Sequence, residues 1–112
     1  GMYLPYTIEY CVRGSDPTRY GDIARFLGLP AADEAESAAS LVAAIRDLER
    51  QIGLPLSGRA LGIDPAAYES EISRMVLLVE GDTSVTMSSR VPNQADTVKL
   101  LRYTFDGTPI DF

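Results

Sequence analysis

The chain is predicted to be all-α, a single bundle-like domain of about five helices, on three observations. Apolar residues recur at intervals of three and four over long stretches, the spacing that gives a helix one buried stripe. Asp, Asn and Pro stand immediately before those stretches, where helix starts need side-chain acceptors and tolerate a missing N–H. Gly and Pro close them. With 112 residues there is one domain, over residues 2–112, able to bury about 65% of its unfolded surface. Gly1 ahead of Met2 reads as the remnant of a cleaved tag and stays outside the fold argument.

From Met2 to Val12 apolar residues cover nearly every side, with Leu4, Ile8 and Cys11 on one stripe and Tyr3, Tyr6 and Tyr10 on another. A helix apolar all round expects burial, and Pro5 is tolerable in its first turn. Cys11 continues the stripe and reads as a packed thiol. The turn formers from Arg13 to Pro17 break the pattern. A second helix is expected to start near Asp16, capped by it with Pro17 at the first position, and to turn Tyr20, Ile23, Ala24 and Leu27 inward before Gly28. Asp33 and Glu36 open a third in the manner of a capping box. Ala38, Leu41, Val42, Ile45, Leu48 and Ile52 form its inner face, and Gly53 and Pro55 end it.

Residues Leu56 to Ile63 make a short helical turn or loop. Asp64-Pro65 then begins a fourth helix with Tyr68, Ile72, Met75, Val76 and Val79 inward. Its five consecutive apolar residues, Met75 to Val79, exceed what one buried stripe needs. Gly81 to Pro92 reads as a Ser- and Thr-rich loop. Asn93 and Asp96 cap a last helix lined by Val98, Leu101 and Phe105, followed by an irregular tail from Asp106 to Phe112. There are no internal repeats.

Composition excludes chemistries more firmly than it suggests any. There is no histidine and one cysteine, so Ser-His-Asp and Cys-His arrangements are ruled out by count, and the usual ligands of zinc or non-haem iron are lacking. A lone cysteine makes no internal disulfide and suits a reducing, cytoplasmic setting. Net charge is −6, and nine of the ten bases are Arg, with Lys99 the exception. An acidic chain without a basic cluster is a poor match for nucleic acid or anionic membranes. No apolar run approaches the roughly 18 residues of a membrane span.

Candidate sites are few. Gly53, Gly58 and Arg59 mimic a phosphate loop only superficially, because the required lysine and hydroxyl are replaced by Arg59 and Ala60 and no strand precedes; helix punctuation is the better reading. Asp33, Glu34 and Glu36 lie in a first turn, where the macrodipole favours acids. Tyr3, Tyr6 and Tyr10 could line a pocket, although tyrosines at helical spacing are more often core or interface. The one polar loop dense enough to bind something runs through Asp82-Thr83-Ser84 and Ser88-Ser89-Arg90, with Asp82, Ser88 and Arg90 as the candidate residues. No residue is assigned a catalytic, cofactor-binding or metal-binding role.

Leu4-Pro5-Tyr6, Ile8-Glu9-Tyr10, Tyr20-Gly21-Asp22-Ile23-Ala24-Arg25 and Leu27-Gly28 resemble a stretch of the iron-containing alcohol dehydrogenases, a dehydroquinate synthase-like group. So do Ile52-Gly53-Leu54-Pro55, Leu61-Gly62-Ile63-Asp64, Leu100-Leu101-Arg102-Tyr103 and Gly107 to Phe112. Arg90 with Pro92 is similar to a degraded Asn-Pro-Arg-x-Pro loop, and Ser88-Ser89 stand in place of its Asn-Pro. The resemblance implies the helical C-terminal domain of such an enzyme. In that family an N-terminal α/β domain binds NAD(P), and an aspartate and three histidines hold iron or zinc. The last of those histidines lies just before the helix that Met2 begins here. The resemblance therefore brings no cofactor, metal ligand or catalytic residue into this chain. It implies a domain inactive alone, either a subunit of a split oxidoreductase or a vestigial homologue. A homodimer, or a hetero-complex with a nucleotide-binding half, is expected, because the first helix is apolar all round and its neighbours in the full enzymes lie in segments this chain lacks. The alternatives are a non-enzymatic small-molecule-binding or protein-interaction scaffold, and a trimmed fragment of a longer enzyme.

Overall fold

The computed structural model describes all 112 residues and is all-helical. Five α-helices follow in order: α1 Leu4–Cys11, α2 Tyr20–Phe26, α3 Glu34–Gln51, α4 Pro65–Gly81 and α5 Gln94–Asp106, with a single 3-10 turn at Val85–Met87 before the last. The body measures 41 × 31 × 22 Å. Its shortest dimension is about two helix diameters, so the helices pack in two layers.

Three of the four expected caps form. Asp33 accepts the N–H of Glu36 at 2.8 Å, Asp64 that of Ala67 at 2.8 Å, and Asn93 that of Asp96 at 2.8 Å. Glu36 departs from the capping-box pattern by reaching back to the N–H of Ala32 rather than Asp33. The fourth cap does not form. Helix α2 begins at Tyr20, not near Asp16, and no side chain caps it. Asp16 accepts from no backbone N–H ahead of it, and residues 12–19 run through turns, bends and irregular chain before α2.

The two-turn α2 also buries less than its pattern suggests. Only Gly21 and Ala24 are buried, while Ile23 and Leu27 are exposed. Small residues let α2 lie close to α3: a side chain on Gly21 would meet a Glu34 carboxylate oxygen at 3.2 Å. Beyond Gly28, whose φ of +69° ends the helix, Leu29 takes up packing against α1 and α3.

Helix α1 lies between two apolar clusters, which accounts for its all-round apolarity. Ile8 packs with Ala38, Leu41 and Val42 of α3. Tyr6, Tyr10 and Cys11 pack with Leu100, Tyr103 and the tail residues Ile110 and Phe112. A third cluster joins α4 to α5 through Tyr68, Ile72, Val76, Leu101 and Phe105. Met75 and Val98 sit at its edge.

At the end of α3 the buried face turns. Leu48 and Ile52, expected inside, are exposed, and Glu49 is buried in their place. The stripe Val42–Ile45–Glu49 keeps facing α1, while the other edge of the apolar face runs out past the end of the short helix it would cover. In α4 the same economy leaves Leu77 and Leu78 exposed at 66% and 65%, and those are the surplus residues of the five-residue apolar run.

Cys11 is a free, buried thiol at 4% exposure. Alkylation by iodoacetamide is expected to be at least tenfold slower in the native protein than in denaturant, since a thiol enclosed by apolar side chains is inert. Equal rates would show that the α1 seam opens readily.

Candidate functional site

Between the second stripe of α1, the end of α4, the loop after it and α5 the side chains leave a cavity of about 190 Å³. Tyr3, Tyr6 and Tyr10 line one wall. Val79, Val85 and Pro92 line the next, and Leu100 and Leu101 close the floor. The periodicity of three and four in α1 sets the tyrosines along one side. The loop is held over them by its arginine. Two residues of the candidate loop, Ser88 and Arg90, reach this cavity, whereas Asp82 does not line it.

Arg90 is the principal brace. Its guanidinium lies 3.8 Å from the centroid of the Tyr10 ring. It donates to the main-chain oxygens of Tyr10 at 3.2 Å and Phe112 at 2.9 Å. Asp96 stands 3.8 Å away and accepts the Tyr10 hydroxyl at 2.7 Å. One side chain thus ties the loop to α1, to the start of α5 and to the tail. Its Nη1 is committed to two main-chain oxygens, which gives Arg90 a structural role whatever else its remaining donors meet.

The lining hydroxyls are likewise committed. Tyr6 donates to the Leu56 carbonyl at 2.7 Å, Thr7 to Tyr3, Thr97 to Asn93 and Thr104 to Leu100. Tyr3 and Tyr68 share a long contact of 3.5 Å. Ser88 alone among the lining hydroxyls has no protein partner. No base stands beside it or beside Cys11 in hydrogen-bonding range, so the cavity has no activated nucleophile.

Asp82 follows α4 in an exposed position and accepts both the N–H of Ser84 at 2.9 Å and its hydroxyl at 2.7 Å. Those hydrogen bonds hold its carboxyl below the usual range. Asp33, Glu34 and Glu36 remain in the first turn of α3 and outside the cavity. The Gly53–Gly58–Arg59 stretch divides. Gly53, at φ +72°, ends α3. Gly58 instead lies against α5, where a Cβ would fall 2.6 Å from a Phe105 ring carbon, and Arg59 pairs with Asp106.

Four of the six tyrosines are shifted upward by burial. Tyr10 and Tyr20 are each pushed up to about 12, the former also by its bond to Asp96 and the latter also by Cys11 and Glu34. Tyr6 rises with Arg46 opposing, and Tyr68 rises with Tyr3 adding to the effect. A phenol whose folded pKa exceeds its unfolded value of about 10 favours the fold while protonated. That contribution is complete below pH 10 and is lost as pH climbs towards 12. The denaturation midpoint should hold steady up to pH 10 and fall above it. Absorbance at 295 nm should show most tyrosines ionising only with unfolding; a single titration near pH 10 in the native protein would contradict the burial of this wall.

Sequence reasoning found Arg90 and Ser88 through loop polarity and the tyrosines through spacing. It missed Asp96, which looked like a helix cap and also receives Tyr10, and it missed Thr97 and Leu100. Their role depends on which helix lies opposite, and local pattern carries no signal of that.

No family model matches the chain. It is 24% identical to the NADPH-dependent butanol dehydrogenase of Clostridium saccharobutylicum over 111 residues, covering 99% of this chain and 28% of that protein. It is 30% identical to the aldehyde-alcohol dehydrogenase of a Streptococcus pneumoniae strain over 106 residues, covering 81% of this chain and 12% of that protein. The enzyme of the same name from another strain of that species matches equally. The chain spans less than a third of the length of these relatives. By these matches and by its own motifs the chain is related to the iron-containing alcohol dehydrogenases, and it corresponds to a small part of them, as a helical C-terminal domain would.

Proposed function

We propose that this chain is the helical part of an NAD(P)-dependent oxidoreductase acting on alcohols or aldehydes, with redox chemistry only when a nucleotide- and metal-binding part joins it. The observation that carries this reading is the alignment of 99% of the chain with 28% of a butanol dehydrogenase. In such an enzyme a bound metal would polarise the alcohol or carbonyl oxygen. The residues of this chain do not fit that group, because nowhere do three potential His, Cys, Asp or Glu ligands come together. What the chain supplies is a braced loop and an apolar wall.

Two features support a joining partner. Exposed apolar side chains include the adjacent Leu77 and Leu78 of α4, and Met87 and Phe26, the last at 89% exposure; a joining part that covered them would remove that apolar area from water. Glu49 is 4% exposed, and neither of its carboxylate oxygens has a hydrogen-bond partner. An unpaired buried carboxylate is costly. A donor from the joining part would relieve it. Glu49→Met in the isolated chain is expected to raise stability by about 1–2 kcal/mol in urea denaturation. A loss of stability would show that Glu49 serves the isolated fold.

The direct test is co-expression with the nucleotide-binding half of a related dehydrogenase, ending in its metal histidines. A stable complex with alcohol-dependent reduction of NAD(P) is expected. If the two parts neither associate nor turn over, the proposal fails. A second reading, a non-catalytic module that binds a small molecule or another protein, is favoured by the tyrosine-lined pocket under the Arg90 loop, and it predicts ligand binding by the chain alone.

A further inference from the structure

We infer that the tail from Pro109 to Phe112 is a latch across a seam in this chain, and that its release parts α1 from α5 and the Arg90 loop while the helices on either side stay folded. The inference concerns the chain by itself and holds whether or not a second part joins it.

The helices fall into two units. Helices α1 and α2 pack along α3, and α4 packs along α5, with no comparable helix-on-helix packing between the two groups. Each unit has an apolar cluster of its own. Ile8 with Ala38, Leu41 and Val42 makes the first, and Tyr68, Ile72, Val76, Leu101 and Phe105 make the second. The link from Gly53 to Leu56 connects them, because beyond it the N–H groups of Gly58 and Arg59 already donate to the Thr104 and Phe105 carbonyls of α5, at 3.3 and 2.9 Å. Gly53 has a φ of +72° and nothing within 4 Å of its Cβ position, so no side chain packs against that turn.

One cluster spans the seam, and the tail completes it. Of its four buried residues Tyr6, Tyr10 and Cys11 come from α1 and the fourth, Ile110, from the tail, whereas α5 brings only the partly buried Leu100 and Tyr103. The polar ties follow the same pattern. Glu9 of α1 accepts the Ile110 N–H at 2.9 Å, and Arg90 joins the Tyr10 carbonyl to the Phe112 oxygen. On its other side the tail is held by the Thr108 N–H on the Tyr103 carbonyl at 2.9 Å and by Lys99, 3.8 Å from the centroid of the Phe112 ring. The polar ties that bypass the tail are Arg90 on the Tyr10 carbonyl and ring, the Tyr10 hydroxyl on Asp96, the Tyr6 hydroxyl on Leu56 and a long Tyr3–Tyr68 contact. Water replaces such hydrogen bonds once the seam opens; nothing replaces the burial of Ile110.

Cys11 reports the opening, since it packs in the cluster that Ile110 completes and lines the pocket under the Arg90 loop. A contact at the latch is lost when the seam opens. A contact inside either unit survives that opening and bears only on global unfolding. Alkylation of Cys11 by iodoacetamide in the folded chain should therefore speed up at least tenfold in Ile110→Ala and about threefold in Ile110→Val, from the usual cost of such truncations. Ile72→Ala, inside the second unit, should lower the urea midpoint yet leave the alkylation rate within about twofold of the unmodified chain's. In the unmodified chain the logarithm of the rate should rise with urea less than about half as steeply as global unfolding does, because a seam exposes less surface than the whole fold. The Ile110 amide should exchange with deuterium through an opening whose equilibrium constant matches that for Cys11 within about threefold.

If Ile72→Ala speeds alkylation as much as its loss of stability predicts, Cys11 is exposed only by global unfolding and the latch is overturned. A urea slope equal to the global one overturns it too, and that measurement needs no variant. So does an Ile110 amide that opens far more readily than Cys11, because the tail would then fray without moving the seam.

Discussion

Glu9→Ala is expected to cost about 3 kcal/mol, a large share of the roughly 5–15 kcal/mol that holds a domain together. Glu9 lies on α1 with its side chain 14% exposed. One carboxylate oxygen receives Arg46 of α3 at 2.8 Å and the other receives the backbone N–H of Ile110 at 2.9 Å. A single residue thus joins α1, α3 and the tail. Removing it strands Arg46, itself only 19% exposed, and leaves a half-buried amide without an acceptor. Breaking one side of such a pair costs more than the pair contributes, because the remaining charge stays desolvated. Glu9→Gln, which preserves an acceptor for Ile110, should lose about half as much. Urea denaturation of both variants measures the difference. A Glu9→Ala loss below about 1 kcal/mol would mean that Arg46 finds water easily.

Phe105→Ala is expected to cost about 3–5 kcal/mol, the usual range for emptying a buried aromatic site. The Phe105 ring stacks on Tyr68 with centroids 4.5 Å apart and planes at 28°. Arg59 lies 5.1 Å from its centroid on another side. Gly58 closes the site: its N–H reaches the Thr104 carbonyl, and a Cβ there would fall 2.6 Å from the Phe105 ring and 3.3 Å from the Phe105 Cα. Gly58→Ala should therefore cost about 1–3 kcal/mol by overpacking. In the Phe105→Ala background the same change should cost far less, since the ring it would strike is gone. Additive losses in a double-mutant cycle would show that the two sites do not press on one another.

The helix count and three of the four caps were legible because they depend on neighbours three and four residues away. Asp33, Asp64 and Asn93 each satisfy an N–H within their own first turn. Asp16 had the same local credentials and failed, because the chain turns before α2 lies on α3 and the helix begins only at Tyr20. Leu48, Ile52, Ile23 and Leu27 fit apolar stripes and still face outward. A stripe says which residues share a side, but not how far the neighbouring helix extends along it.

The candidate site divides in the same way. Loop polarity identified Ser88 and Arg90, and helical spacing identified the tyrosines. That these two sets line one pocket, and that Asp82 stands outside it, follows from the packing of Tyr6 and Tyr10 with Leu100 and Tyr103 and from the hold of Arg90 on Tyr10 and Phe112. The sequence by itself determined the all-helical class, the buried thiol, the family relationship and, through the missing histidines, which chemistries lie beyond this chain's own side chains. Only the tertiary structure decided that α1 is covered on two sides, that Glu9 and Asp96 are linchpins rather than surface acids, and that Glu49 is buried without a partner. The reason is physical. Caps and stripes are short-range consequences of backbone geometry, whereas burial and pairing of a polar side chain depend on what a helix distant in sequence places against it.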